Sequence, residues 1–141
     1  MINTALNKSQ FYQIIIMLKN MDSVTNIAVK DLKIAEKFYS EILGLERVGG
    51  QDDQVITYKS GSSLIYVYRS EFAGTNKATT LTWMVAEELN EIVTTLKSKG
   101  VAFERYEMPG MPREGDIYGG GSMKVAWFKD PDGNILSLTN G

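Results

Sequence analysis

The sequence predicts an α+β domain in which one strand–helix unit is used twice. A strand at Thr25–Val29 leads into a helix that ends near Gly44, and a strand at 80–85 leads into a helix that ends at Gly100. From Val29 to Gly44 is 15 positions, and from Val85 to Gly100 is again 15. A matching period of this length indicates internal duplication.

Local signals justify each element of the first unit. Asp31 is a suitable N-cap for the helix, and Ala35, Phe38 and Ile42 recur at the spacing of a buried helical face. Gly44 favours a C-terminal stop. Three short strands are then predicted at 46–49, 54–59 and 63–68.

The second unit repeats this order, so the chain as a whole reads as βαβββ twice. Its helix has an apolar face formed by Leu89, Ile92, Val93 and Leu96. Strands are predicted at 102–104, 124–128 and 135–138.

A long loop interrupts these last strands, with the sequence MPGMPREGDIYGGGSM at 108–123. A loop of this length inside a compact domain is usually either functional or disordered. If it is a lid, Arg113, Glu114 and Asp116 are the polar groups that it could bring over a pocket.

Length and charge bound the class of protein. With 141 residues the chain is expected to form one domain at 23–141, with modules at about 23–70 and 78–141, after an N-terminal extension at 1–22. The net charge of −2, with scattered basic residues, argues against nucleic acid as a partner. The chain has no cysteine, which excludes disulfides and thiolate nucleophiles.

The extension contains an apolar run at 14–18, far shorter than the roughly 20 residues of a membrane-spanning helix. It shows no evident signal-peptide pattern, so we expect a cytoplasmic protein with no membrane partner. Its isoleucines need cover, and we expect the segment to pack on the domain or on a second subunit.

The absence of histidine excludes more chemistry. Ser-His and Cys-His triads and imidazole-bound metals are ruled out. Any metal would need oxygen ligands, and acid–base work would fall to Asp, Glu, Lys or Tyr.

Near the C-terminus, a tight turn is predicted within the sequence FKDPDGNILSL. Asp130 and Pro131 favour the opening of a type I turn, and Gly133 can adopt a positive φ. On these signals alone the segment is a hairpin without chemistry.

Taken together, the two βαβββ units, Phe38-Tyr39 with Leu43-Gly44 at the end of the helix, and the DPDGN turn at 130–134 resemble the vicinal oxygen chelate superfamily. This superfamily includes glyoxalase I, extradiol dioxygenases, fosfomycin-resistance enzymes and bleomycin-binding proteins. The resemblance covers about 24–140. It implies a curled mixed sheet that forms a cup around a ligand, with the helices on the outer face, and a homodimer.

The metal enzymes of this superfamily take His, Gln or Glu ligands from four inward positions. By the resemblance, these positions fall at Val24, Tyr66, Thr80 and Ser137. Valine has no donor atom, and neutral hydroxyls are poor ligands beside a carboxylate or imidazole. We therefore expect no metal and no other cofactor.

If those four positions face the cup, strand alternation assigns the remaining faces. The inward set is mixed in polarity: Val24, Asn26, Ala28, Leu64, Tyr66, Tyr68, Thr80, Thr82, Met84, Ile135, Ser137 and Thr139. The opposite set is apolar, as a surface packed under helices should be: Ile27, Val29, Ile65, Val67, Leu81, Trp83, Val85, Leu136 and Leu138.

Several functions fit this cup. The first is a metal-free binder of a small, partly aromatic organic molecule. Its ligand-binding residues would be Asn26, Tyr66, Tyr68, Thr80, Thr82, Trp127 and Ser137. The alternative is a metal-independent isomerase, lyase or hydrolase in which Tyr66 or Tyr68 is the acid–base group and Arg113 assists. The inward side chains could also simply fill the cup, with the tyrosine hydroxyls reaching water. A further alternative is a regulatory or interaction module in which the cup is vestigial.

Overall fold

The computed structural model describes residues 5–51 and 53–141, with backbone only at 12–15. The parts of the N-terminal extension before residue 5, and the side chains of the apolar run at 14 and 15, lie outside this description. The described residues contain three helices: α1 at Lys8–Ile15, α2 at Leu32–Glu36 and α3 at Leu89–Ser98. A π-helical turn, Lys37–Ile42, continues α2, and short 3-10 turns occupy Leu18–Asn20 and Ala86–Glu88.

The strands form two separate mixed sheets, one in each module. The first sheet has the order β1-β4-β3-β2 and consists of β1 (Thr25–Val29), β2 (Glu46–Gln51), β3 (Val55–Ser60) and β4 (Ser63–Arg69). The second has the order β5-β9-β8-β7-β6 and consists of β5 (Thr79–Met84), β6 (Arg113–Glu114), β7 (Ile117–Tyr118), β8 (Val125–Lys129) and β9 (Ile135–Thr139). In each sheet the first strand pairs parallel with the last, β1 with β4 and β5 with β9. The predicted fold class is confirmed, although the sheets of this single chain do not close on each other.

Helix α2 begins where the sequence predicts and then changes its pitch. The Asp31 carboxylate accepts hydrogen bonds from the backbone N–H groups of Lys33 (2.8 Å) and Ile34 (3.2 Å). Further on, the N–H of Leu43 donates to the carbonyl of Phe38, which is the i to i−5 bond of a π-turn. The wider turn brings Tyr39 into the core beside Phe38, a placement that a regular helical period does not predict.

The apolar faces of the two sheets form one core with α2 and α3, as alternation predicts. Its fully buried members from the strands include Ile27, Val29, Ile65, Val67, Leu136 and Leu138. Trp83 and Phe128 stack in this core with their ring centroids 6.4 Å apart.

The turn at 130–134 joins the two modules through the buried carboxylate of Asp130. One of its oxygens accepts from the N–H groups of Asp132 (3.0 Å) and Asn134 (2.9 Å). The other accepts from the hydroxyl of Tyr39 (2.7 Å) and the amide of Asn134 (2.7 Å). That amide also donates to the carbonyl of Ala28 in β1 (2.8 Å). The hairpin is therefore a buried polar clasp between the modules.

The second module departs from the predicted strands at one place. The strand predicted at 102–104 is reduced to a single bridge between Phe103 and Phe128. Within the predicted loop, β6 and β7 form a small hairpin, and Tyr118 of β7 pairs with Val125. Phe103 and strand β7 thus both pair along the outer edge of β8, which is only five residues long. Neither segment has enough of this edge to form a full strand.

The N-terminal segment presents apolar side chains to solvent. Leu18 is 84% exposed, and Leu6, Phe11, Met17 and Met21 are also exposed. In this single chain these side chains are not covered by the domain.

Candidate functional site

The inner face of the first sheet is open and aromatic. The register aligns Asn26 with Tyr66 and Ala28 with Tyr68. Tyr66 and Tyr68 are 38% and 37% exposed, whereas their neighbours Ile65 and Val67 on the opposite face are buried. The phenol rings of Tyr66 and Tyr68 are therefore partly exposed to solvent on β4, a central strand of the first sheet.

The inner face of the second sheet carries a row of hydroxyls beside an indole. Thr82, Ser137 and Trp127 are aligned across β5, β9 and β8. The hydroxyls of Thr82 and Ser137 share a hydrogen bond of 2.6 Å. Trp127 donates from Nε1 to the hydroxyl of Thr79 (3.2 Å).

Thr80, which was expected to line the cup, lies at an irregularity of β5. The pairing with β9 shifts between Thr79 and Leu81, so Thr80 has no partner in the register. Thr79 instead supplies the hydroxyl that bonds to Trp127. Simple alternation cannot reveal such a bulge, because one inserted residue exchanges the two faces.

Aromatic side chains cover part of this second face. The ring of Trp127 lies edge-to-face with Tyr106 and Tyr118, at centroid distances of 5.7 and 5.4 Å. The buried hydroxyl of Tyr118 accepts a hydrogen bond from the N–H of Tyr106 and donates to its carbonyl (2.9 Å). Ser137, beneath this layer, is only 2% exposed.

Two lysines on the inner faces were missed in the sequence analysis, because faces were not assigned on β3 and β8. Lys129 pairs with Ile135 in the register and lies 3.9 Å from the carboxylate of Glu104. Lys59 pairs with Leu64 of the first sheet and is exposed. Extending the alternation from Trp127 to Lys129 would have identified the first of them.

The polar groups of the predicted lid have other partners. Arg113 donates to the carbonyl of Gly115 within its own hairpin (2.6 Å). It lies on the outermost strand of the second sheet, whereas Tyr66 and Tyr68 belong to the first. The structure does not place these three catalytic candidates on one sheet.

The buried carboxylate of Asp116 forms ion pairs with Lys97 of α3 (2.6 Å) and Arg105 (3.2 Å). The hydrogen bond from Lys97, supported by that from Arg105, outweighs burial and lowers the pKa of Asp116. This residue therefore anchors the hairpin to the helix side of the module.

The residues that the resemblance assigns to the four ligand positions are poor donors for a metal ion. Ser137 is already hydrogen-bonded to Thr82, and Val24 offers no donor atom. In residues 5–51 and 53–141, no three Asp or Glu side chains are grouped so that they could hold a metal ion. The donor set at these positions thus lacks a carboxylate.

A separate hollow lies on the helix side of the sheets, between the modules. Its volume is about 210 Å³, and its lining is apolar: Leu43, Leu45, Ser60, Trp83, Val85, Ile92, Leu96, Phe128 and Leu138. The two polar groups of the lining bond to each other, because Trp83 Nε1 donates to the hydroxyl of Ser60 (2.9 Å).

The sequence matches the family profile of the glyoxalase/bleomycin resistance protein/dioxygenase superfamily over residues 21–138. The chain belongs to this superfamily. No curated protein sequence matches the chain significantly.

Solved structures of the superfamily fold resemble the chain at low sequence identity. The fosfomycin resistance protein FosX from Listeria monocytogenes, complexed with Mn(II) and sulfate, is 18% identical with a TM-score of 0.66, covering 89% of this chain and 92% of its own. Lactoylglutathione lyase from Agrobacterium tumefaciens is 17% identical with a TM-score of 0.62, covering 84% and 92%. An integron cassette protein from the Halifax Harbour sewage outfall metagenome is 19% identical with a TM-score of 0.62, covering 84% and 97%. At these identities the likeness establishes the fold alone.

In the described part of the chain, no helix is long and apolar enough to span a membrane.

Proposed function

We propose that this protein binds a small, partly aromatic organic molecule without a metal, in a cup completed by a second copy of the chain. The observation that carries the proposal is the open inner face of the first sheet. Tyr66 and Tyr68 are exposed there, while the alternate positions of the same strand are buried. Exposed aromatic rings beside a few polar groups are typical of a ligand surface.

Each candidate residue has a role in this proposal. Tyr66 and Tyr68 stack on the ligand, and the amide of Asn26 lies next to Tyr66 in the register, where it donates only a long bond to the carbonyl of Val24 (3.5 Å). In this proposal Trp127 and the exposed Thr82 meet the ligand from the second sheet. Ser137, which is only 2% exposed, orients the hydroxyl of Thr82 through their hydrogen bond, and Thr80 lies at the bulge beside them. A homodimer is proposed because the sheets of one chain do not close, and a second copy would cover the open face.

The manganese of FosX is not carried over to this chain. At the four superfamily ligand positions this chain offers the side chains of Val24, Tyr66, Thr80 and Ser137. Without a carboxylate or imidazole there, stacking and hydrogen bonding are the interactions that remain.

A screen for ligand-induced stabilisation, in the presence of EDTA, tests this function. At a ligand concentration of about one hundred times Kd, the free energy of unfolding should rise by about 2.7 kcal/mol. A Tyr66→Ala/Tyr68→Ala double variant should lose the effect. A stabilisation that persists in this variant would place the ligand elsewhere, for example in the helix-side hollow. No stabilisation across a broad library of aromatic compounds would contradict binding.

Lys59 supports a second candidate, a metal-independent isomerase, lyase or hydrolase. Its register with Leu64 places it on the same face as Tyr66. An acid–base tyrosine requires a cation on its own face of the sheet, and Lys59 is such a cation. Turnover of an identified substrate that is unchanged in Tyr66→Phe would contradict this candidate.

A further inference from the structure

Tyr106 lies on the inner face of the second sheet, although no sequence signal places it there. The side chains of its segment alternate in their direction. Phe103 packs on Phe128 in the core, with centroids 5.5 Å apart, and Glu104 approaches Lys129 of the inner face. Tyr106, two positions further on, contacts Trp127 on that same inner face.

The hydroxyl of Tyr106 is the exception among the buried polar groups of this face. Thr82 and Ser137 bond to each other, Thr139 donates to the carbonyl of Lys124 (2.9 Å), and Tyr118 bonds to the backbone of Tyr106. Among the side chains that the structure describes, only Tyr106 has a buried nitrogen or oxygen atom without a hydrogen-bond partner. A buried unpaired hydroxyl is costly and calls for an explanation.

The groups around the hydroxyl of Tyr106 indicate which kind of hydrogen-bond partner it could accommodate. Burial, and next the negative charge of Glu104, raise the pKa of Tyr106, so the hydroxyl keeps its proton at neutral pH. A protonated phenol donates a hydrogen bond, which requires an acceptor. Lys129, the cation on this face, is already paired with Glu104 (3.9 Å), so a neutral carbonyl or ether oxygen is the acceptor that fits.

We propose that Tyr106 is a specificity-determining residue of the ligand site, whose hydroxyl donates a hydrogen bond to a neutral acceptor atom on an aromatic ligand packed against Trp127. This inference rests on the proposed binding function. Residues 104–112 form no helix or strand, and the hydroxyl of Tyr118 holds the backbone of Tyr106 in place. The ligand class is therefore an uncharged aromatic carbonyl or ether compound.

Two compounds of similar shape test the inference in the intact protein. Acetophenone has a carbonyl oxygen, and ethylbenzene lacks it. Titration followed by NMR should show that the wild type binds acetophenone about fivefold to tenfold more tightly, the value of one hydrogen bond. In Tyr106→Phe the two affinities should become equal. If the wild type bound both compounds equally, or if Tyr106→Phe still preferred acetophenone, the role of Tyr106 would be contradicted. The proposed binding function would not be affected by either result. Binding of neither compound would contradict the binding function together with this role.

Stability without ligand gives a second readout. Because its hydroxyl has no partner, Tyr106→Phe should keep or raise the melting temperature. Tyr118→Phe is the matched control, since it removes a bonded hydroxyl and should lower the melting temperature by about 3 °C. A similar decrease in both variants would show that the Tyr106 hydroxyl is bonded within the protein, and would overturn the proposal.

Discussion

Tyr66 and Ser137 occupy corresponding places in the two modules, but one is 38% exposed and the other 2%. Each lies in the middle of the strand that pairs parallel with the first strand of its sheet, opposite Asn26 and Thr82 respectively. In the second module, the segment carrying Tyr106 and the hairpin carrying Tyr118 fold over this position. In the first module, a regular third strand leaves the face uncovered. A duplicated unit can therefore keep its strand order while only one copy retains an open face.

The largest effect is expected from breaking the clasp that the two modules share. Asp130→Ala removes a buried carboxylate and leaves the Tyr39 hydroxyl and the Asn134 amide without their partner. We expect a loss of about 3–5 kcal/mol in the free energy of unfolding, measured by chemical denaturation. Asp132→Asn is the control, because Asp132 accepts only a longer bond from Lys30 (3.3 Å) and should change stability little. Equal effects of the two substitutions would contradict the clasp.

Replacing one tyrosine by alanine on the inner face of each sheet tests how well each face is covered. Tyr118→Ala deletes a fully buried ring and should cost about 3–4 kcal/mol. Tyr66→Ala deletes an exposed ring of the open face and should cost about 1 kcal/mol or less. Urea denaturation of both variants measures the difference. A cost for Tyr66→Ala close to that of Tyr118→Ala would mean that the first face is also covered in solution.

A smaller, pH-dependent effect on the free energy of unfolding is expected from Asp116 in the second module. The pKa of Asp116 is lowered from 3.8 on folding, so its stabilisation is present above that pH and is lost as the pH falls through the folded pKa. The effect should be about 1 kcal/mol, because Lys97 and Arg105 are 53% and 58% exposed and solvent screens them. Asp116→Asn should lower stability at pH 7, and the difference from the wild type should shrink as the pH falls below 3.8 and through the lowered pKa of Asp116. A difference that stays constant over this range would contradict the assignment.

Local patterns predicted the parts of the fold that depend on neighbouring residues. The Asp31 cap, the βαβββ repeat and the buried face with Ile27 and Val67 all follow from spacing over a few positions. The bulge at Thr80 and the π-turn that buries Tyr39 each insert one residue into a regular period, and neither insertion has a clear local signal. The bonds of Asp130 connect residues far apart in the chain, which periodicity cannot detect. Alternation therefore assigned Asn26, Tyr66 and Tyr68 to one face of the first sheet, but it missed the bulge and the aromatic cover of the second; that these residues form a site stays a prediction.

The clasp at Asp130 also has a consequence for the order in which contacts form while the chain is being synthesised. Its bonds to Tyr39 and to Ala28, through Asn134, join positions 91 and 106 residues apart, and both of its C-terminal members lie in the last twelve residues of the chain. Domains fold as they are synthesised from the N-terminus, and distant contacts form late. During synthesis, the hydroxyl of Tyr39 therefore cannot reach this partner until residue 130 has left the ribosome. A chain that stopped before residue 130 would lack this fastening between the two modules.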